Sequence, residues 1–274
     1  MSGLGLSFDL DDVRQWAEFS SDFNPIHFDR DSANTAGLKD LVVHGMLVLL
    51  PIKRALAQRA REERLVVPGW MRFNALFRHP VAHNESTLLT MRPGRRGGLD
   101  FRLDGAREDA ERFRGSLVPV DDPVRAVALN AAERGPTRAL QCDDSARFAR
   151  SYPDIDEGWL ALDAIVFSDF MRTRLDEVAR GAQEHLATMA QARGATGLLF
   201  VQASHTVFFD ANALAAPGPL PMPCEQLVCS MSAPDVIVNA DKVIGSVALC
   251  VRHAGRCVMR MEIGLLARPN VPTP

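Results

Sequence analysis

Asp22 and His27 stand five residues apart in Ser20-Ser21-Asp22-Phe23-Asn24-Pro25-Ile26-His27-Phe28-Asp29. Pro25 and its polar neighbours force an irregular turn. Such a turn can bring both side chains to one point, where they hold and polarise a single water. Histidine exchanges protons near neutral pH, and the aspartate can orient that water or move a second proton. Seventeen residues after His27, His44-Gly45-Met46 opens an apolar run. Free backbone N–H groups at a helix start can receive a developing oxyanion. Gly45, with no side chain, would let a carbonyl group approach closely. The competing readings are structural. Asp22 would cap local backbone while His27 packs at the surface, Gly45 would serve close helix packing, and His44 would hold the helix start. Asp29 would cap the helix that begins near Arg30.

The elements that must carry these residues follow from periodicity. Val13, Trp16, Ala17 and Phe19 or Ser20 recur at helical spacing over residues 11–20. A second short helix is expected over residues 32–36, stopped by Gly37. From His44 to Glu63 the pattern predicts a helix that is apolar all round through Leu50 and amphipathic beyond, with Pro51 bending or breaking it. After Pro68-Gly69, strand-like stretches at 70–79, 87–92, 99–103 and 110–118 alternate with glycine- and charge-rich turns. The second half repeats this order. Residues 161–192 read mostly as helix, with Gly181 as a break, and strands are expected at 198–210, 226–232, 236–238, 242–251 and 256–266. A proline-rich connection covers residues 215–223. The order is α+β, and its repetition points to an internal duplication that rests on element order alone. The polar stretch 121–150 is the best boundary. It gives a first domain over 1–125, a linker over 126–150 and a second domain over 151–274.

Composition narrows the function classes. The 274 residues suit about two domains, at roughly 150 residues each. An apolar share of 47% supports a sizeable core, and 24% charged residues exclude wholesale disorder. Lysine and arginine total 31 against 34 aspartates and glutamates, and the formal charge of −3 argues against a dedicated nucleic-acid binder. No secretory signal is visible at the start, and the longest apolar stretch, 41–52, is too short to span a bilayer. A cytoplasmic protein with no membrane span is expected. The five cysteines, Cys142, Cys224, Cys229, Cys250 and Cys257, form no C-x-x-C pair and read as buried free thiols. His79, His83, His185, His205 and His253 show no ligand-like spacing, so no metal is expected.

The segment S-S-D-F-N-P-I-H-F-D, with Ala33, Gly37 and His44-Gly45-Met46 after it, resembles the MaoC-like, or (R)-specific enoyl-CoA hydratase, family of hotdog proteins. The family pattern is roughly S-G-D-x-N-P-x-H-x-D, an A…G stretch, then H-G-M at the start of the long hotdog helix. The resemblance is sharp for about residues 10–60 and extends to about residue 120. It implies a double hotdog, each unit a long helix packed against an antiparallel sheet. The second half carries no second D-x-N-P-x-H. By resemblance it would be the non-catalytic unit that widens the acyl tunnel and replaces a partner subunit.

The resemblance also implies roles. Asp22 and His27 would be catalytic, Asn24 would shape their loop, and the Gly45 N–H, with His44 beside it, would position the thioester carbonyl. The implied reaction is reversible hydration of a trans-2-enoyl thioester to an (R)-3-hydroxyacyl thioester. No metal or redox cofactor takes part, and coenzyme A or phosphopantetheine enters as part of the substrate. The partner would be an acyl-CoA or an acyl carrier protein thioester, and the chain would act as a monomer or pair as a homodimer. Arg92, Arg95 and Arg96 cluster in a glycine-containing turn. They would meet the phosphates of the carrier, or remain a solvated turn. Two departures stand out. Ser21 replaces the usual glycine before the aspartate, so a positive φ there would strain it and could shift Asp22. Leu41 sits where a proline is usual. The runner-up readings are a hotdog thioesterase, whose water attacks the carbonyl carbon, and a non-catalytic acyl-binding or assembly subunit.

Overall fold

The computed structural model describes residues 3–105, 111–120, 136–178, 180, 198–216, 218, 220–238 and 243–269. The first half runs β1 (Leu4–Leu6), α1 (Leu10–Ser20), α2 (Arg30–Thr35), α3 (Gly45–Glu62), β2 (Trp70–Phe77), β3 (Thr87–Pro93), β4 (Leu99–Gly105) and β5 (Glu111–Val120). The second runs β6 (Thr137–Ala139), α4 (Cys142–Ser151), α5 (Gly158–Thr173), β7 (Leu198–Asp210), α6 (Ala211–Leu214), β8 (Leu227–Met231), β9 (Asp235–Val238), β10 (Val243–His253) and β11 (Arg256–Pro269).

The strands make one 11-stranded sheet in the order β1-β3-β4-β5-β2-β7-β11-β10-β8-β6, with β9 pairing only to β10. The order on the left of the β2–β7 seam is mirrored on its right, strand for strand, except for the extra β9. The duplication expected from element order is therefore a repeated topology. At the seam β2 and β7 run antiparallel, with Phe73 opposite Val207 and Met71 opposite Phe209. The architecture is an α+β double hotdog, each half supplying one long helix, α3 or α5, to a shared sheet.

The core is continuous across the halves. The first turns of α3, Met46 to Leu50, are buried, as expected of an all-round apolar run. Helix α5 goes further, since every residue from Gly158 to Phe170 is buried. Trp159 stacks on Phe209 with ring centroids 4.5 Å apart, and Phe73 stacks on Phe101. Pro51 lies inside α3, which runs on to Glu62 without a break. One polar cluster sits within this core. Lys53 of α3 pairs with Asp163 of α5, which bonds His205 of β7 at 2.8 Å. All three are fully buried. Burial pushes the Lys53 ammonium and the His205 imidazole below their ordinary values against the pull of Asp163. Burial pushes the Asp163 carboxyl up, but Lys53 and His205 together hold it below the usual range.

The segment expected as a linker is structured where it is described. Thr137–Ala139 pairs with β8, and α4 buries Leu140 at its start and Phe148 within it. Residues 126–135 lie outside the described residues, as do Gly181 and His185 in the long helix expected over 161–192. Helix α4 escaped the sequence reading because its ten residues offer so few apolar positions. The two halves differ most between their first helix and their long one. In the first half residues 21–44 fill that interval, whereas in the second it is the six residues 152–157. His44-Gly45-Met46 at the start of α3 corresponds to Glu157-Gly158-Trp159 at the start of α5. The second half has no room for a loop that could carry an aspartate and a histidine. No helix among the described residues is long and apolar enough to cross a membrane. Cys224, Cys229 and Cys250 are buried, Cys257 is half-buried, and none of the four is joined in a disulfide.

Candidate active site

Helix α1 delivers Asp22. Asp9 caps its N-terminus in a capping box with Asp12, and Ser21 ends it in the left-handed conformation, φ 63° and ψ 21°. This is the positive φ for which a glycine is usual, so serine carries about 1 kcal/mol of strain there. The Ser21 N–H still donates to the Ala17 carbonyl at 2.7 Å, and the Ser20 hydroxyl accepts from the Asp22 N–H at 3.2 Å. The loop then folds on itself. The Asn24 N–H donates weakly to Asp22 Oδ1 at 3.4 Å, and Asn24 Oδ1 accepts from the Ile26 N–H at 3.3 Å. Asn24 thereby caps the single 3-10 turn Pro25–His27, which proline starts with its fixed φ.

Two carbonyls set the histidine tautomers. His27 Nδ1 lies 2.7 Å from the Val42 carbonyl, and His44 Nε2 lies 2.8 Å from the Asp22 carbonyl. A carbonyl only accepts, so each of those nitrogens holds the proton. His27 is left with its Nε2 lone pair and His44 with its Nδ1 lone pair, which is buried without a partner. The rings stack with centroids 3.7 Å apart. Val42 is itself fixed, because the Val43 N–H donates to Val81 at 2.8 Å and Val42 bridges to Ala82.

Charge follows from this packing. Burial raises the Asp22 carboxyl above its ordinary value, against the opposing pull of His27 and the Asn24 N–H. Burial lowers His27, with Asp22 pulling it back. Burial and the neighbouring His27 push His44 down to about 2, so it is neutral. Asp22, His27 and His44 offer ligand atoms within 4.8 Å of one another, the one such group found among the described residues. Each ring has one nitrogen committed to a carbonyl, so His27 keeps its Nε2 and His44 its Nδ1 for any further partner.

Gly45 opens α3 beside this stack, and no side chain caps the helix start. The space beyond its Cα is filled, because a side chain there would strike the ring of Phe77. The room expected for a carbonyl group at that position is taken by packing, and what remains available is the N–H end of the helix.

The arginine turn follows β3, whose last residue, Pro93, stands level with Leu99, Leu117 and Phe73, four residues along β2 from Phe77 and Gly45. Four residues of strand amount to about 13 Å. Arg92 is exposed and pairs with Asp100 at 3.7 Å, and Arg95 is exposed. The side chain of Arg96 lies outside the described residues. Asp29 takes its structural role, capping α2 through the Ser32 N–H at 2.8 Å. The Leu41 N–H, which a proline would lack, donates to Asp40 at 2.8 Å.

Sequence reading passed over three participants. Val42 acts through its backbone carbonyl, which leaves no mark in residue type. His83 donates its N–H to Leu41 at 3.1 Å and is near enough to act electrostatically on both site histidines. Phe23 is 61% exposed beside Asp22, and that exposure, invisible in sequence, is what distinguishes it from a core aromatic.

The family described as MaoC like domain matches residues 5–94. The chain is 51% identical over 41 residues to a mitochondrial 3-hydroxyacyl-[acyl-carrier-protein] dehydratase of Arabidopsis thaliana. That stretch is 15% of this chain and 25% of the relative, so the chain spans about a quarter of the curated relative's length. A solved structure described as a MaoC-like dehydratase shares the fold, with a TM-score of 0.50 at 11% identity over 97% of this chain and 96% of that one. A conserved hypothetical protein of Mycobacterium tuberculosis, described as having a double hotdog fold, aligns with a TM-score of 0.45 and 12% identity over 97% of this chain and 96% of that one. Residues 5–94, the stretch that is similar to the MaoC like domain, hold the whole constellation from Asp22 to Gly45.

Proposed function

We propose that this chain interconverts a trans-2-enoyl thioester and its (R)-3-hydroxyacyl thioester by adding or removing water at carbon 3. The observation that carries the reading is the Asp22–His27 pair, whose environments push the carboxyl up and the imidazole down. Such a pair shares one proton and divides acid and base work between its members.

In the dehydration direction the neutral His27 Nε2 takes the proton from carbon 2. Asp22 in its carboxyl form gives its proton to the leaving hydroxyl, the carbon–oxygen bond at carbon 3 breaks, and water departs. Hydration is the reverse. Asp22 carboxylate takes a proton from water as oxygen bonds carbon 3, and His27 delivers a proton to carbon 2. Negative charge develops on the thioester oxygen in either direction. The Gly45 N–H at the start of α3 is the donor for it. Neutral His44 holds the Asp22 backbone rather than moving protons, and Asn24 shapes the turn. We assign catalysis to residues 1–125 and treat residues 151–274, with the described part of 126–150, as the supporting unit. The substrate arm is coenzyme A or the phosphopantetheine of a carrier protein, and nothing in the site requires a redox group.

The test follows the ultraviolet absorbance of the conjugated enoyl thioester with short, medium and long trans-2-enoyl-CoA substrates, with free thiol monitored alongside. Loss of conjugation without thiol release, abolished in Asp22→Asn and His27→Ala, is the expected result. Thiol release would move the assignment to a thioesterase. No reaction with coenzyme A or carrier-protein esters would leave an acyl-binding subunit.

A further inference from the structure

An α-helix leaves its last carbonyls without intrahelical partners. At the end of α1, immediately before Asp22, those carbonyls are taken by side chains of the second half. Ser168 of α5, fully buried, donates its hydroxyl to the Phe19 carbonyl at 2.9 Å. Arg147 of α4 donates Nη2–H to the same carbonyl at 2.8 Å and to the Glu18 carbonyl at 3.0 Å. Its guanidinium also lies 5.8 Å from the centre of the Phe19 ring. A cation at this end of a helix meets the negative end of its dipole.

Arg147 is itself held. Asp144 of α4 is fully buried and accepts from Arg147 Nη1 at 3.2 Å. Asp144 also accepts from both terminal nitrogens of Arg172 on α5, at 2.9 and 2.6 Å. From Phe19 to Asp22 the path is short and stiff. Ser20 is fully buried with its hydroxyl on the Asp22 N–H, and Ser21 is locked in the left-handed conformation. On the other side of the loop, Val201 of β7 packs against Ile26, Ala36 and Val42. The half that lacks a catalytic loop therefore touches the catalytic loop of the other half at both ends.

We propose that Ser168 and Arg147 are positioning residues for Asp22. They hold the last turn of α1 from across the pseudo-symmetric junction, so that the carboxyl stands in register with His27. The inference rests on the proposed hydration chemistry for its kinetic readout, and on the Asp22–His27 pairing alone for its spectroscopic one.

The experiment uses the full chain with Ser168→Ala, Ser168→Thr and Arg147→Met, each also placed in an Asp22→Asn background. With an enoyl thioester, Ser168→Ala and Arg147→Met are expected to lower kcat roughly tenfold with KM within about twofold, since small misplacements of a reacting group are costly. The kcat–pH profile should be displaced, and Ser168→Thr, which keeps the hydroxyl, should restore both. In the Asp22→Asn background Ser168→Ala should cost no further residual rate. Independently of any substrate, the carboxyl carbon resonance of Asp22 should titrate at a shifted midpoint in Ser168→Ala. If wild type hydrates no enoyl thioester, the proposed reaction fails while this titration still judges the positioning role. An unchanged carboxyl titration and pH profile in both single variants would overturn the inference. So would an equal loss of rate with and without the Asp22 carboxyl. If Ser168→Ala does not fold, half-exposed Arg147→Met carries the same comparisons.

Discussion

His27 donates its Nδ1 proton to the carbonyl of Val42 across 2.7 Å, a bond that fixes which nitrogen keeps its lone pair. Val42 lies fifteen residues away in sequence and is buried among apolar neighbours. The tautomer is thus set by the packing of a valine and not by a charged partner.

Replacing either member of the pair should remove most of the turnover. Asp22→Asn and His27→Ala are each expected to reduce kcat by about 10²–10⁴-fold, the usual range for a positioned acid or base, with some loss of thermal stability in His27→Ala, which removes a buried, stacked and hydrogen-bonded ring. Initial rates alongside melting curves check this.

The pH dependence of turnover should be bell-shaped, because the working pair carries one proton. Acid adds a second, and alkali removes the one that is shared. The basic limb belongs to the raised carboxyl, so Asp22→Asn should leave a single acid limb in its residual rate. A kcat–pH series on both proteins tests it, and a surviving basic limb in Asp22→Asn would contradict the pairing.

His44 should make the fold sensitive to acid. Its folded value of about 2 lies below the unfolded 6.5. The unfolded chain therefore takes up the proton first as pH falls. The stability contributed by neutral His44 is complete above about 6.5 and is lost progressively toward 2, at up to ~1.4 kcal/mol per pH unit. Between pH 7 and 5, wild type should lose about 1–2 kcal/mol more stability than His44→Gln. Urea unfolding at the two pH values measures the difference.

Lys53→Met should destabilise the protein by about 3–5 kcal/mol, since it leaves Asp163 buried with only His205 for a partner. Adding Asp163→Asn should recover part of that loss, because the amide still accepts from His205 and carries no charge. Chemical denaturation of the single and double variants decides it. Equal stabilities would mean that the charge at Asp163 is not what Lys53 offsets.

Ser21→Gly should stabilise the chain by about 0.5–1 kcal/mol, by removing the left-handed strain of a residue with a Cβ. Turnover should stay within twofold of wild type, as the backbone path to Asp22 is unchanged.

The loop from Asp22 to His27 was legible because its pattern resides in residue types and spacing. Asp22, Asn24, Pro25 and His27 prescribe a turn whatever lies around them, and the serine in place of glycine already pointed to a positive φ. The long helix α3 and the main strands were legible through periodicity. The sequence could not show what depends on assembly. Lys53 reads as an ordinary surface lysine of an amphipathic turn until Asp163 and His205 arrive from more than a hundred residues away. His205 sits in an alternating strand and looks like any half-buried histidine. Helix α4 holds mostly polar side chains because its work is polar, with Arg147 and Asp144 facing another helix end.

The β2–β7 seam joins the two halves of the sheet within one chain. A centre built across it has unimolecular assembly, so dilution cannot part its walls. In a symmetric pair of identical chains every substitution appears twice, and a change that improves one wall can spoil the other. Here a change in α5 or β7 is made once. Each half can therefore change without the other having to carry the same substitution.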